Sequence, residues 1–422
     1  MITKNTENFL SIFFLLIPIT IVLGPSVSLI NIIIIDLLFI FFFYNNKKVN
    51  FFNHYTIKLF VLLNLYLIFN TLIAFDKEIA LARNLGFFRF IILFVFINYF
   101  YNYAVNKKKI LNFWTFFILI IIFDIYFEFL FGSNIFGWGA RFIDGVEQLN
   151  GRRIMSFFKD EPIAGAFLSG FIFLIFGYLL TKFPKKKIIP ILFLLTAFIA
   201  VLLTGERSNT IKVFFGIIIF FILSDFIDLK KKIFSLLMIF SIIILSVKSF
   251  DFLSNRYIGL INIFNSKEKI QNQYENNLYF KLYRSGFFIF KQYPYFGVGN
   301  KNYRIKSCEY AFDKKKIDAN KYLCSTHPHQ VYFELLSEHG LIGSIILLCM
   351  FFYIFFRILR EILMSKNQIQ LGCFVFVLLS FTPILPSGSF FSDFNLTIFW
   401  LNFSLMFASN KKTNIFRNTL ND

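Results

Sequence analysis

Long, uninterrupted apolar runs of about twenty residues dominate the chain, and twenty residues is the length that carries a helix across a bilayer. They lie near 9–29, 30–43, 57–75, 87–104, 110–131, 162–181, 188–204, 211–228 and 233–248, then at 341–357, 370–386 and 393–408 after a long polar stretch. Lipid offers no partner to backbone polar groups, so a spanning segment is a helix or part of a closed barrel. Continuous rather than alternating apolar residues select helices. The expectation is an all-α polytopic integral membrane protein with about 12 transmembrane helices. The first run is too long for a cleaved leader core, and no small-residue cleavage site follows it, so it is read as an uncleaved span. Three regions result: an N-terminal bundle over 1–248, a large polar loop over 249–340, and C-terminal spans with a tail over 341–422.

Composition agrees with this reading. The 422 residues are 57% hydrophobic and 16% charged, with a mean hydropathy of +0.67. A formal charge of +19 could suggest a nucleic-acid partner, but the lysines and arginines form short clusters between apolar runs, where the positive-inside rule places them. No basic soluble domain is present in the pattern, so nucleic acid is excluded as a partner. With a cytoplasmic N-terminus, Lys47-Lys48, Lys107 to Lys109, Lys185 to Lys187, Lys230 to Lys232, Arg357 with Arg360 and Lys366, and Lys411-Lys412 all fall on the cytoplasmic side. Both termini are then cytoplasmic. The outer side receives 132–160, the short 204–209 turn and the long 249–328 stretch, and long loops on rigid scaffolds commonly carry function. The 67 phenylalanines read as bias in lipid-facing helices. The two halves do not resemble each other as the inverted repeats of a transporter do.

The most informative stretch is THPHQVYFELLSEHGLIG, Thr326 to Gly343. Pro328 suits a first helical turn, and Phe333, Leu336, Gly340 and Gly343 follow His329 at helical spacing. The reading expects His329 within that first turn, its ring kept neutral by the positive helix end and able to act as a general base. The plainer reading is a histidine that only caps the helix. Gly340 and Gly343 would admit a second helix closely.

His329-Gln330, nine residues, then Gly340-Leu341-Ile342-Gly343 resembles the signature of the O-antigen ligase and O-antigen polymerase superfamily of membrane glycosyltransferases. Two more stretches fit the resemblance. Arg207 stands in Thr204-Gly205-Glu206-Arg207-Ser208-Asn209 like the arginine that the family places at an outer turn, although a salt bridge to Glu206 or snorkelling into headgroups is the structural alternative. Arg284 precedes Phe288, Pro294 and the Gly297-Val298-Gly299 turn as the family's second arginine does, with Phe288 where tryptophan is frequent. Gly151-Arg152-Arg153-Ile154-Met155-Ser156-Phe157 resembles the family's first outer loop. There Arg152 and Arg153 would hold phosphate, acidic sugar or lipid headgroups.

The resemblance implies a multi-span glycosyltransferase fold of the C type (GT-C) in a bacterial inner membrane, with its active site facing the periplasm. The implied donor is a glycan on undecaprenyl pyrophosphate; the acceptor is lipid A-core or another lipid-linked glycan. Arg207 and Arg284 would grip the departing pyrophosphate without a cofactor or metal, and His329 would take the proton from the attacking hydroxyl. His327 and Gln330 are placed to bind substrate, and His339 reads as structural. No outer cluster of acids and histidines has metal-ligand spacing; Asp160-Glu161 fits a helix N-terminus instead. A polymerase, a protein O-oligosaccharyltransferase and, from another class, a flippase are the alternatives to a ligase. Cys308 and Cys324, both in the outer loop, are expected to form a disulfide.

Overall fold

The computed structural model describes residues 2–45, 51–103, 106–139, 142–143, 146–147, 153–159, 161–225, 228–250, 253–254, 257, 266–312 and 323–416. Apart from a two-residue antiparallel pairing of Phe142–Ile143 with Val146–Glu147, its regular structure is helical. Among the described residues, seven helices are long and apolar enough to cross a membrane, and Ile188–Leu203 and Gln368–Leu379 are shorter apolar helices. The protein is a polytopic helical membrane protein.

Each expected run lies largely in a helix, but three boundaries move. The first two runs are divided at Gly24, not at residue 29: Gly24 has φ 123°, and Pro25 opens the next helix. Ile2–Leu15 (α1) and Ile17–Leu23 (α2) precede that break, and Pro25–Asn45 (α3) folds back on both. The run at 370–386 stops being helical at Leu379, a few residues before Pro383 and Pro386. The run at 341–357 belongs to the longer helix Val331–Ser365.

Tyr55–Ile73 (α4), Lys77–Gly86 (α5) and Phe88–Tyr103 (α6) follow, then Lys107–Phe131 (α7). The bundle centre is Ala164–Lys182 (α8), buried along nearly its whole length between Ile188–Leu203 (α9), Arg207–Leu223 (α10) and the C-terminal helices. Lipid tails supply no hydrophobic drive between helices, so small residues and buried amides set the close contacts. A Cβ on Gly177 would lie 2.1 Å from the Gln368 carbonyl oxygen, and one on Gly372 would lie 2.0 Å from that of Phe173. Asn402 Nδ2 donates across the same core to the Gly170 carbonyl (2.8 Å).

Leu229–Ser249 (α11) leads into the polar region. There Lys267–Asn276 (α12), Leu278–Gln292 (α13) and Tyr303–Phe312 (α14) precede Val331–Ser365 (α15), Gln368–Leu379 (α16) and Asp393–Ala408 (α17). The buried stripe of α13, Leu282, Tyr283, Ser285, Gly286 and Ile289, packs on the start of α15. Cys308 and Cys324 form the expected disulfide. The lysine-rich 314–321 segment that it was expected to brace lies outside the described residues.

Candidate active site

The site is built on a helix that is interrupted in its middle. Within α15, Gly340 has φ 64° and ψ −170°, a conformation open essentially only to glycine. Such a break leaves orphan carbonyls on one side and orphan amides on the other. The turn before α14 satisfies both sets. Val298 and Gly299 amides donate to the carbonyls of Ser337 (3.0 Å) and Glu338 (2.9 Å). Leu341 and Ile342 amides donate to those of Pro294 (2.7 Å) and Tyr295 (3.0 Å). Backbones this close leave no room for side chains. A Cβ on Gly340 would stand 2.4 Å from the Phe296 nitrogen, and one on Gly297 would stand 2.4 Å from the Glu338 carbonyl carbon. Gly299 abuts Ala74 and Gly343 abuts the Tyr66 hydroxyl. Only Gly343 therefore admits a helix as expected; Gly340 admits a loop.

The same turn is anchored to the α4–α5 hairpin by amides. Asn300 donates its backbone N–H to Asn70 Oδ1 (2.8 Å) and its side-chain amide to Asn84 Oδ1 (2.7 Å). Asn302 and Asp76 exchange hydrogen bonds of 2.6 and 3.1 Å. His339, fully buried, sits 3.2 Å from the Tyr66 hydroxyl through Nδ1, a contact within the core.

His329 does not lie in the first helical turn. Helix α15 begins at Val331, and Gln330 is its N-cap: Gln330 Oε1 accepts the amides of Tyr332 (2.7 Å) and Phe333 (3.1 Å). That places His329 before the helix, at φ 55°, a left-handed conformation that a non-glycine residue adopts at a cost. The Ser387 amide donates to the His329 carbonyl (2.8 Å), which ties the residue to the loop before α17. Its ring meets Tyr279 edge-on at 5.9 Å and lies 3.9 Å from the ring of His327. Burial lowers the His329 pKa, partly opposed by a hydrogen bond to the Ser387 backbone. Desolvation, rather than the helix end, is what disfavours the charged ring. His327 is pushed down to about 3 by burial, then by His329, Lys301 and Arg304.

The remaining candidates form two groups. Arg284 lies on α13, the helix that packs on the histidine segment: Tyr283 stacks on Phe333 at 5.3 Å, and Gly286 lies against Pro328 and Phe333. Its Nη1 and Nη2 donate to the carbonyls of Tyr274 (2.9 Å) and Glu275 (3.0 Å) near the end of α12. Arg153 and Arg207 form the other group. Ile154 N–H donates to the Thr204 carbonyl (3.3 Å), bringing the first outer loop onto the 204–207 turn. Two carboxylates of α7 hold that loop: Glu128 accepts the amides of Met155 (3.1 Å) and Ser156 (2.6 Å), and Asp124 accepts the Ser156 hydroxyl (2.6 Å). Arg152 lies outside the described residues, as does Asp160.

Glu206 takes a role that its neighbour in sequence did not suggest. Its carboxylate accepts the amides of Gly165 (2.6 Å) and Ala166 (3.2 Å), the first turn of α8, and the side chain of Asn209 (2.7 Å). Burial raises its pKa to about 7 against the opposing pull of these donors and of Arg153. Arg207 opens α10 beside it, and Tyr257 from the polar region reaches Thr210 on the same helix (2.9 Å).

Sequence reading gave no role to Lys301, Arg304, Glu334 or Ser389. Lys301 has φ 62° and is buried; its Nζ donates to Ser389 Oγ, which donates in turn to Glu334 Oε1 (2.5 Å). Glu334 Oε2 accepts the Phe390 amide (2.8 Å). The contacts join residues far apart in the chain, so spacing carried no sign of them.

The fold is that of a polytopic membrane protein whose polar region converges on a broken helix. A family model described as O-antigen ligase matches residues 192–348, a span that holds Arg207, Arg284, His329 and all the motif glycines. Over residues 192–348 the chain is thus similar to the O-antigen ligase family, the family that its motifs resemble. No curated protein matches the chain.

Proposed function

We propose that the protein moves a glycan from undecaprenyl pyrophosphate to a hydroxyl of an acceptor sugar, lipid A-core, at the periplasmic face of the inner membrane. The observation that carries this reading is the half-buried His329, held in a left-handed conformation against His327 within the family-matched stretch, where desolvation disfavours its charged form. A neutral imidazole can take the proton that the attacking hydroxyl loses. Departure of the donor develops negative charge on pyrophosphate oxygens, which Arg207 and Arg284 would stabilise as permanently charged planar donors. Arg284 would exchange the neutral carbonyls of Tyr274 and Glu275 for charged phosphate oxygens, the stronger acceptors. Arg153 would meet the same donor from the loop that α7 holds, with Arg152 beside it in sequence. One direct displacement inverts the anomeric centre. The motif glycines act by shape: Gly297, Gly299 and Gly340 let the 294–299 turn close the helix break that leads back to the histidines. Gln330 supports the site through its cap.

The same residues would serve a polymerase that joins lipid-linked repeats, so the test reads the acceptor. A strain lacking the gene is analysed for lipopolysaccharide and undecaprenyl-linked glycan on gels, with wild-type and His329→Ala complementation. Glycan missing from lipid A, with long polymer left on undecaprenyl, is the expected result. A lipid A-core bearing a single repeat would replace ligase by polymerase. An unchanged ladder in the deletion strain would refute both.

A further inference from the structure

Among the described residues, most cations at this end of the bundle have partners. Arg83 and Arg89 both bind Asp393, Arg83 at 2.7 Å. Lys306 pairs with Glu309 (2.7 Å) and lies over the Phe75 ring at 3.9 Å. Lys301 is bound to Ser389 and stands in the field of Glu334 and Glu338. Arg284 is engaged by the Tyr274 and Glu275 carbonyls. Arg304 differs. It lies in the first turn of α14, half-buried, and its side chain has no hydrogen bond or ion pair among the described residues. Its Nε is buried without a partner, and so is Nε2 of His327, on which both Arg304 and Lys301 act electrostatically.

A guanidinium with an orphaned buried nitrogen, beside an orphaned imidazole nitrogen and a buried ammonium, describes a site short of one anion. Buried polar groups of this kind normally have partners, and their desolvation is costly when they do not. We propose that Arg304, with Lys301 and His327, binds a phosphate oxyanion next to His329, apart from the Arg207 turn. The inference rests on the proposed transfer reaction and deepens it: the site takes a phosphate of a lipid-linked substrate. A guanidinium suits this ligand because its planar donors match phosphate oxygens in pairs. Lys301 then supplies charge from behind, fixed by Ser389 and Glu334.

The test measures binding, so it is independent of turnover. Full-length protein in phosphatidylcholine nanodiscs is titrated with radiolabelled farnesyl pyrophosphate, with Arg304→Gln, Arg304→Lys and wild type compared. Losing one charge-assisted contact is expected to weaken binding roughly tenfold to a hundredfold in Arg304→Gln, with partial recovery in Arg304→Lys. Displacement of the label by unlabelled prenyl pyrophosphate but not by an excess of phosphatidylglycerol assigns the phosphate to a lipid-linked substrate; displacement by phosphatidylglycerol as readily as by prenyl pyrophosphate assigns it to a membrane headgroup and overturns the substrate role. Arg304→Gln that binds like wild type, while folding like it in thermal melts, overturns the site. That result would leave the transfer reaction standing, because His329→Ala tests the reaction separately.

Discussion

The interrupted helix offers a quantitative test of how the family glycines act. Consider Gly340→Ala. An alanine at φ 64° and ψ −170° sits in a region nearly closed to side chains, at a cost of about 2 kcal/mol. Its Cβ would also stand 2.4 Å from the backbone of both Tyr295 and Phe296, which cannot rotate away as a side chain could. The 294–299 turn must therefore retreat, and the nearest of the hydrogen bonds that bridge the break, Leu341 to Pro294 and Ile342 to Tyr295, would stretch or part. Each is worth about 1 kcal/mol net. The sum is about 4 kcal/mol, or roughly 5 °C in an apparent melting midpoint for a chain of this length. Gly137→Ala is the control: Gly137 also has positive φ (77°), but nothing stands within 4 Å of its missing Cβ, so only about 1 kcal/mol is expected. The assay is thermal unfolding of the detergent-purified protein, followed by intrinsic fluorescence at a fixed scan rate. Gly340→Ala melting within the shift of the control would refute the account of the break. So would an unaltered melt accompanied by normal glycan transfer.

Other consequences can be checked alongside it. Glu206, raised to about 7 by burial, binds its proton more tightly in the fold than at its ordinary value of 4.5, so stability is expected to fall as pH rises through that window. Glu206→Gln should flatten this dependence in melts recorded from pH 4 to 8, and an equally steep slope in the variant would remove Glu206 as its source. Replacing Cys308 and Cys324, sixteen positions apart, by serine should cost about 3 kcal/mol by the loop-closure argument. Maleimide labelling of the wild type should reach both thiols only after reduction, and labelling without reductant would exclude the bridge.

Local chemistry was the part of this protein legible from its sequence. The apolar runs became helices because length and continuity alone decide that in lipid, and the Cys308–Cys324 bridge followed from two cysteines in one loop. Boundaries were less legible. Gly24 before Pro25 divides the first apolar tract, a signal present in the residues but outweighed by the length of the run. His329 was expected inside a helix because Pro328 suits a first turn; the carboxamide of Gln330 captures the cap instead and leaves both residues outside. Gly340 fits helical spacing with Phe333, which concealed that the helix is broken there. Least legible were contacts closed by the fold: Glu206 on the amides of α8, Asp124 and Glu128 on the Ser156 loop, and Lys301 on Ser389. Their partners lie 28 to 88 positions away, and periodicity carries no information about them.

His329 as the proton acceptor in glycan transfer is the central claim, and turnover by the purified protein tests it most directly. Wild-type and His329→Ala proteins are reconstituted in liposomes with undecaprenyl-pyrophosphate-linked glycan and an acceptor glycolipid, and the released undecaprenyl pyrophosphate is measured by chromatography. The account expects His329→Ala to bind donor as the wild type does and to release product roughly a hundredfold to ten-thousandfold more slowly, the usual contribution of a positioned base. Release at the wild-type rate would contradict it.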